Sequence, residues 1–173
     1  MSGFRRSLEL LPIGGCLSVS RSVGTAVRNV LFLCSANYYR SRFAEYLFNW
    51  LASQRNLPWR ADSRGLLVGL WEGLTEMSHF TVEALQERGI PFEPAPRNPL
   101  PLKGSDLKQA HLVVAVKEQE HRREMVTQFG SWADQVEYWH IDDLDCAVPA
   151  DALPQLERQV QLLVERLEFE TGS

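Results

Sequence analysis

The chain has 173 residues, 45% of them hydrophobic, and a formal net charge of −4. That is enough apolar material for one domain with a proper core, and the acidic balance gives no reason to expect a nucleic-acid partner. Cys16, Cys34 and Cys146 are an odd number without metal-ligand spacing, which argues for free thiols in a reducing, cytoplasmic setting, and no apolar run approaches membrane-spanning length.

Residues 1–28 stand apart. Arg5, Arg6, Arg21 and Arg28 face Glu9 alone, so this segment carries +3 and the remainder −7. Its Arg- and Ser-rich, acid-poor composition faintly resembles an organelle-targeting peptide, but Pro12, Gly14 and Gly15 interrupt any long helix. It reads as an N-terminal extension ahead of a domain spanning 29–173.

The apolar run Asn29 to Leu33 has the character of a buried parallel strand. Beyond it, Phe43, Leu47, Trp50 and Leu51 recur at helical spacing. Between the two lies Cys34-Ser35-Ala36-Asn37-Tyr38-Tyr39-Arg40-Ser41, a strand-to-helix turn. A short loop feeding a helix N-terminus aims backbone N–H groups inward and can cradle a tetrahedral oxyanion. Arg40 adds a planar fork for two oxygens, and the same positive field favours the thiolate of Cys34. Ser41 can donate a hydroxyl hydrogen bond to the sulfur. The bland alternative is a buried strand-end cysteine beside a surface arginine; a bare Cys-x5-Arg is weak, but between a strand and an amphipathic helix it is a strong signal.

Pro58 to Gly65 reads as a second short strand and turn containing Ser63, and Leu66 to Glu76, with Gly69, Trp71 and Gly73, as a loop. Thr75 or Ser78 can cap a helix that runs to about Arg88 and stops at Gly89. A Pro-rich stretch follows, then a capped turn at Gly104 to Leu107. His111 to Val116 suits a central parallel strand, and Lys117 to Phe129 a charged amphipathic helix in which His121 is solvated or lies one layer behind a site. Val136 to Ile141 is a last strand, delivering Asp142, Asp143 and Asp145 to a loop; Leu156, Val160, Leu163, Val164 and Leu167 mark a closing helix. This alternation predicts a doubly wound α/β fold, about four parallel strands with helices on both faces. Ligands in such sheets bind beyond the strand carboxyl ends, where Cys34 and the aspartates both fall. His79, His111, His121 and His140 show no ligand spacing, so neither metal nor cofactor is expected.

Val30 to Cys34, Arg40-Ser41 and Ala44-Glu45 resemble the opening of the low-molecular-weight protein tyrosine phosphatases, whose fold is shared with thioredoxin-coupled arsenate reductases; the resemblance spans about residues 29 to 169. It implies a phosphomonoester hydrolase acting through a cysteinyl-phosphate, on a phosphotyrosine-bearing protein or a small phosphomonoester. It further implies that Cys34 is the nucleophile, that Arg40 and the loop from Ser35 to Ser41 hold the phosphate, and that Ser63 supports the loop. Trp71 becomes either an aromatic wall for the substrate or a plug over the core. Asp143 falls where the family carries its general acid; Asp145 and Asp142 are the alternatives.

This chain departs from the family pattern at several points. Ala36 replaces a Gly and would be strained if that position needs φ > 0. Arg42 replaces a common Pro and adds positive charge near the site. The family's His that helps hold Asn37 is missing from Glu93 to Arg97, although Arg97 itself matches, so Asn37 lacks that expected support. Tyr38 and Tyr39 stand as ring-stacking walls or phosphorylation sites. An arsenate reductase would need a resolving cysteine pair in mid-chain; Cys146 is the one other thiol near the rim. A phosphate-binding module without turnover is the remaining alternative.

Overall fold

The computed structural model describes residues 26–70, 73–74, 76–142 and 149–172. Four strands, β1 (Arg28–Cys34), β2 (Trp59–Gly65), β3 (Leu112–Ala115) and β4 (Glu137–Tyr138), form one parallel sheet in the order β2-β1-β3-β4. The helices are α1 (Arg40–Gln54), α2 (His79–Glu87), α3 (Gly104–Gln109), α4 (Glu118–Phe129) and α5 (Pro149–Gly172), with a 3-10 turn at Gly130–Gln135.

Period-two alternation along β1 explains why both faces are covered. Val30, Phe32 and Cys34 join the core built on α1, α2 and α5, with Phe43, Leu47, Leu85, Leu156 and Val160. Leu31 and Leu33 point into the opposite core, with Leu107 of α3, Met125 of α4 and Val136. The register Val30↔Leu112 and Phe32↔Val114 keeps the same division in β3. No helix among the described residues is long and apolar enough to cross a membrane.

Topology then positions the site. The chain leaves β1 on one side to make β2 and returns on the other to make β3, so the switch point lies at the carboxyl ends of β1 and β3. Cys34 ends β1, and the first turn of α4 follows β3.

Three expectations need correction. The last strand pairs over two residues only, because past Tyr138 the chain turns across β3: Lys117 and His140 form an antiparallel bridge, and the Ile141 N–H reaches the Val116 carbonyl at 2.8 Å. Ser78 occupies the position before α2, yet its side chain makes no capping bond. Ser63 lies inside β2, fully buried, and not in a turn.

Candidate active site

The Cys34–Ser41 loop is folded around its own side chains. The Cys34 Sγ lies 2.9 Å from the Ser41 Oγ and accepts from the Asn37 backbone N–H at 3.2 Å. Asn37 holds φ at 53°, a left-handed conformation that Asn tolerates better than most residues. Ala36 is not among the positive-φ residues, so the strain anticipated there does not arise. The tight position is one residue on, and Asn fits it.

The Asn37 side chain is tied on both ends. Its Nδ2 donates to Ser63 Oγ at 2.8 Å and to Ser41 Oγ at 3.1 Å. Its Oδ1 accepts from Arg97 Nη1 and from the Leu100 N–H, both at 2.9 Å. Arg97 thus supports Asn37 where the family's His is absent. The same guanidinium reaches Glu45 Oε2 at 3.0 Å, Asp62 Oδ1 at 3.1 Å and the Ser63 carbonyl at 3.1 Å. Burial pushes the Glu45 carboxyl up, against the pull of Arg97 and the Ser63 hydroxyl. Burial works against the charge of Asp62 as well, but its bonds to Arg64 and the Ser63 N–H prevail and hold it below the usual range.

Gly65 closes the floor. Leu66 and Leu67 N–H groups donate to the Cys34 and Ser35 carbonyls at 2.9 and 2.8 Å. A Cβ on Gly65 would sit 2.8 Å from the Ser35 carbonyl oxygen and 2.9 Å from the Ala36 carbonyl carbon, so this approach requires glycine.

Arg40, 1% exposed, opens α1. Its Nη2 donates to Glu120 Oε2 at 2.8 Å, while its Nη1 donates to Glu120 Oε1 at 3.4 Å and to the Ile141 carbonyl at 3.0 Å. The aspartate loop therefore starts beside Arg40. Asp142 is ion-paired with Lys117. Asp143, Asp145, Cys146 and Trp71 lie outside the described residues.

His121 is buried, not solvated. Its Nδ1 accepts from the Lys117 N–H at 3.1 Å, which leaves the proton on Nε2, 3.3 Å from Ser35 Oγ. Burial, with the Arg40 charge next, lowers its pKa to about 3, so the ring is neutral.

Tyr39 needs correction as a substrate wall. It is 5% exposed, with its ring edge-on to Phe80 inside the core, so it is poorly placed for stacking or modification. Tyr38 is partly exposed. Arg42 adds no charge at the mouth either: it is fully buried, donates to the Arg97 carbonyl at 3.0 Å and lies over the Tyr46 ring.

Glu45 and Glu120 escaped the sequence reading as parts of the site, whereas His121 takes the second of the two places expected for it, one layer behind Ser35. Glu45 had a signal, lying one helical turn beyond Ser41 and hence on the same face. For Glu120 the signal was topological: the first turn after a central strand lies on the ligand-binding rim.

The loop can bind a tetrahedral oxyanion at the first amides of α1, which have no intrahelical acceptor, with Arg40 on its flank and the Cys34 sulfur on its floor. A family model for low molecular weight phosphotyrosine protein phosphatase matches residues 29–167. A search of curated protein sequences gave no match. Among solved structures, the chain is similar to a low molecular weight protein tyrosine phosphatase from T. tengcongensis, at 27% identity and a TM-score of 0.68, over 80% of this chain and 99% of that one. YfkJ from Bacillus subtilis matches at 19% identity and a TM-score of 0.73, over 85% and 98%. The YwlE arginine phosphatase from Geobacillus stearothermophilus matches at 23% and 0.66, over 83% and 94%. The chain belongs to the low molecular weight phosphotyrosine protein phosphatase family, whose members are cysteine-based phosphatases.

Proposed function

We propose that the protein is a protein tyrosine phosphatase in which Cys34 is the nucleophile. The observation that carries this is the placement of the Cys34 sulfur 2.9 Å from the Ser41 hydroxyl, in one loop with the buried Arg40. The Cys34 thiolate attacks phosphorus in line, and the P–O bond to the tyrosyl oxygen breaks. Arg40 and the loop N–H groups hold the equatorial oxygens. The leaving phenolate takes a proton from Asp143. Ionised Asp143 then removes a proton from water, whose oxygen attacks phosphorus; the S–P bond breaks, and Ser41 stabilises the departing thiolate. Contact between Arg40 and the Ile141 carbonyl supports an acid on this loop, since Asp143 is two residues on. Asp142 is the weaker alternative because Lys117 engages it, and Asp145 is the other.

A second reading concerns the leaving group. Ser35 and the part-exposed Glu120, joined at 3.4 Å, give one side of the site a polar lining, and with the charge of Glu120 matched by Arg40 it offers hydrogen-bond acceptors that suit a phosphoguanidinium better than an aryl ring. Both readings use attack by the Cys34 thiolate on phosphorus; in the second the P–N bond breaks and the guanidine leaves with the proton.

The test is p-nitrophenyl phosphate hydrolysis by wild type, Cys34→Ser, Asp143→Ala and Asp145→Ala, with kcat/KM on phosphotyrosine and phosphoarginine peptides. Cys34→Ser should be inactive and Asp143→Ala strongly impaired. Full activity in Cys34→Ser would end the covalent mechanism. A higher kcat/KM on phosphoarginine would move the substrate class.

A further inference from the structure

Resting on the reading of Arg40 as the phosphate-gripping residue, we infer that Glu120 is the positioning residue for its guanidinium, so that the first turn of α4 aims the catalytic loop. Glu120 takes both terminal nitrogens of Arg40, at 2.8 and 3.4 Å, and the Ile141 carbonyl shares Nη1 at 3.0 Å. A planar fork held along its terminal edge turns as a unit, so its other edge, Nε with Nη2, acquires a fixed aim. Arg40 is nearly fully buried, whereas the Glu120 side chain is 33% exposed. The arginine would otherwise be a long side chain with rotamers to lose at each turnover.

Glu120 is itself held. Ser35 Oγ donates to Glu120 Oε2 at 3.4 Å, and His121 Nε2 lies 3.3 Å from that hydroxyl and 3.5 Å from the same carboxylate oxygen. His121 is fixed in turn through Nδ1 by the Lys117 backbone at the end of β3. A chain of contacts thus runs from the central sheet through His121 and Ser35 to Glu120, and from Glu120 to Arg40. Two ends of one loop, Ser35 and Arg40, meet on a single carboxylate. Removing that carboxylate should loosen the grip on the equatorial oxygens without touching the sulfur or its Ser41 partner.

The experiment compares wild type, Glu120→Gln, Glu120→Asp and Arg40→Lys. It reads kcat and KM with p-nitrophenyl phosphate, the inhibition constants of inorganic phosphate and vanadate, and thermal stability. Glu120→Gln keeps the size but places an amide N–H against one guanidinium nitrogen. It should lower kcat between about tenfold and a hundredfold, the scale of one charge-assisted contact. Vanadate inhibition should weaken more than phosphate inhibition, because the trigonal-bipyramidal geometry makes the stricter demand on aim. Glu120→Asp should recover part of the loss. Unchanged kcat and vanadate inhibition in Glu120→Gln, with only a lowered melting temperature, would reduce the contact to a structural one and overturn the proposal. Tighter phosphate inhibition with undiminished turnover would overturn it too, making Glu120 a competitor for Arg40. If Arg40→Lys leaves turnover and vanadate inhibition intact, the underlying reading of Arg40 fails and takes this one with it; loss in Arg40→Lys with none in Glu120→Gln sinks the Glu120 proposal alone.

Discussion

Replacing Arg97 with Met tests how the loop is held from behind. The side chain joins Asn37 Oδ1, Glu45 Oε2, Asp62 Oδ1 and Ser63, but one Nη2 serves most of these acceptors, so the bonds lost are fewer than the contacts suggest. Taking two charge-assisted bonds at about 1.5–3 kcal/mol each, and discounting for solvent because Arg97 is 30% exposed, the cost is about 2–4 kcal/mol. The largest share is Glu45, 14% exposed, left with the Ser63 hydroxyl at 2.5 Å and, as its one remaining cation, Arg42 Nε at 3.8 Å. Because burial already raises the Glu45 pKa and Arg97 pulls it down, the variant raises it further. The penalty is therefore largest where Glu45 is ionised and shrinks as falling pH protonates it. Urea unfolding at pH 7 and pH 5, with wild type, Arg97→Met, Glu45→Gln and the double variant, measures both the cost and the coupling. Turnover should fall as well, since Asn37 at φ 53° loses one of its two Oδ1 partners. Additivity of the two single variants within about 0.5 kcal/mol would refute the clamp.

Two further outcomes follow from the same geometry. Gly65→Ala should abolish vanadate binding and destabilise by about 1–3 kcal/mol, because the new Cβ collides with the Ser35 and Ala36 backbone; wild-type inhibition in that variant would show that the loop can give way. His121 has a pKa near 3 in the folded state against an ordinary 6.5, so its contribution to stability is complete above pH 6.5 and is lost as pH falls toward 3, with a ceiling of about 5 kcal/mol. Glu45, with its pKa raised, acts with the opposite sign and gains stability as pH falls toward its ordinary value. His121→Gln should flatten the loss of stability between pH 6.5 and 3, and unchanged acid unfolding would refute the assignment.

Much of this architecture was legible in the chain. Alternating strand and helix patterns gave the parallel sheet, since apolar period is a local property that burial on one or two faces imposes directly. The Cys34–Ser41 segment and its place between strand and helix were equally readable, because a strand-to-helix turn is contiguous. Ala36 shows the limit of position-by-position comparison: the left-handed residue is Asn37, and only backbone angles reveal it. Tyr39 shows another, since nothing local tells a ring that faces substrate from one that packs on Phe80, forty-one residues away.

What the sequence determined by itself was the set of elements and the Cys34–Ser41 loop between the first strand and the first helix. What the tertiary structure decided was which distant charges meet there. Glu120 lies eighty residues from Arg40 and Arg97 sixty from Asn37, and each pair is brought together by the strand order β2-β1-β3-β4. Charge pairing carries no sequence period. A carboxylate on the first turn of a helix looks like any solvated residue until the sheet sets it against a buried guanidinium, where lost hydration makes the partner obligatory.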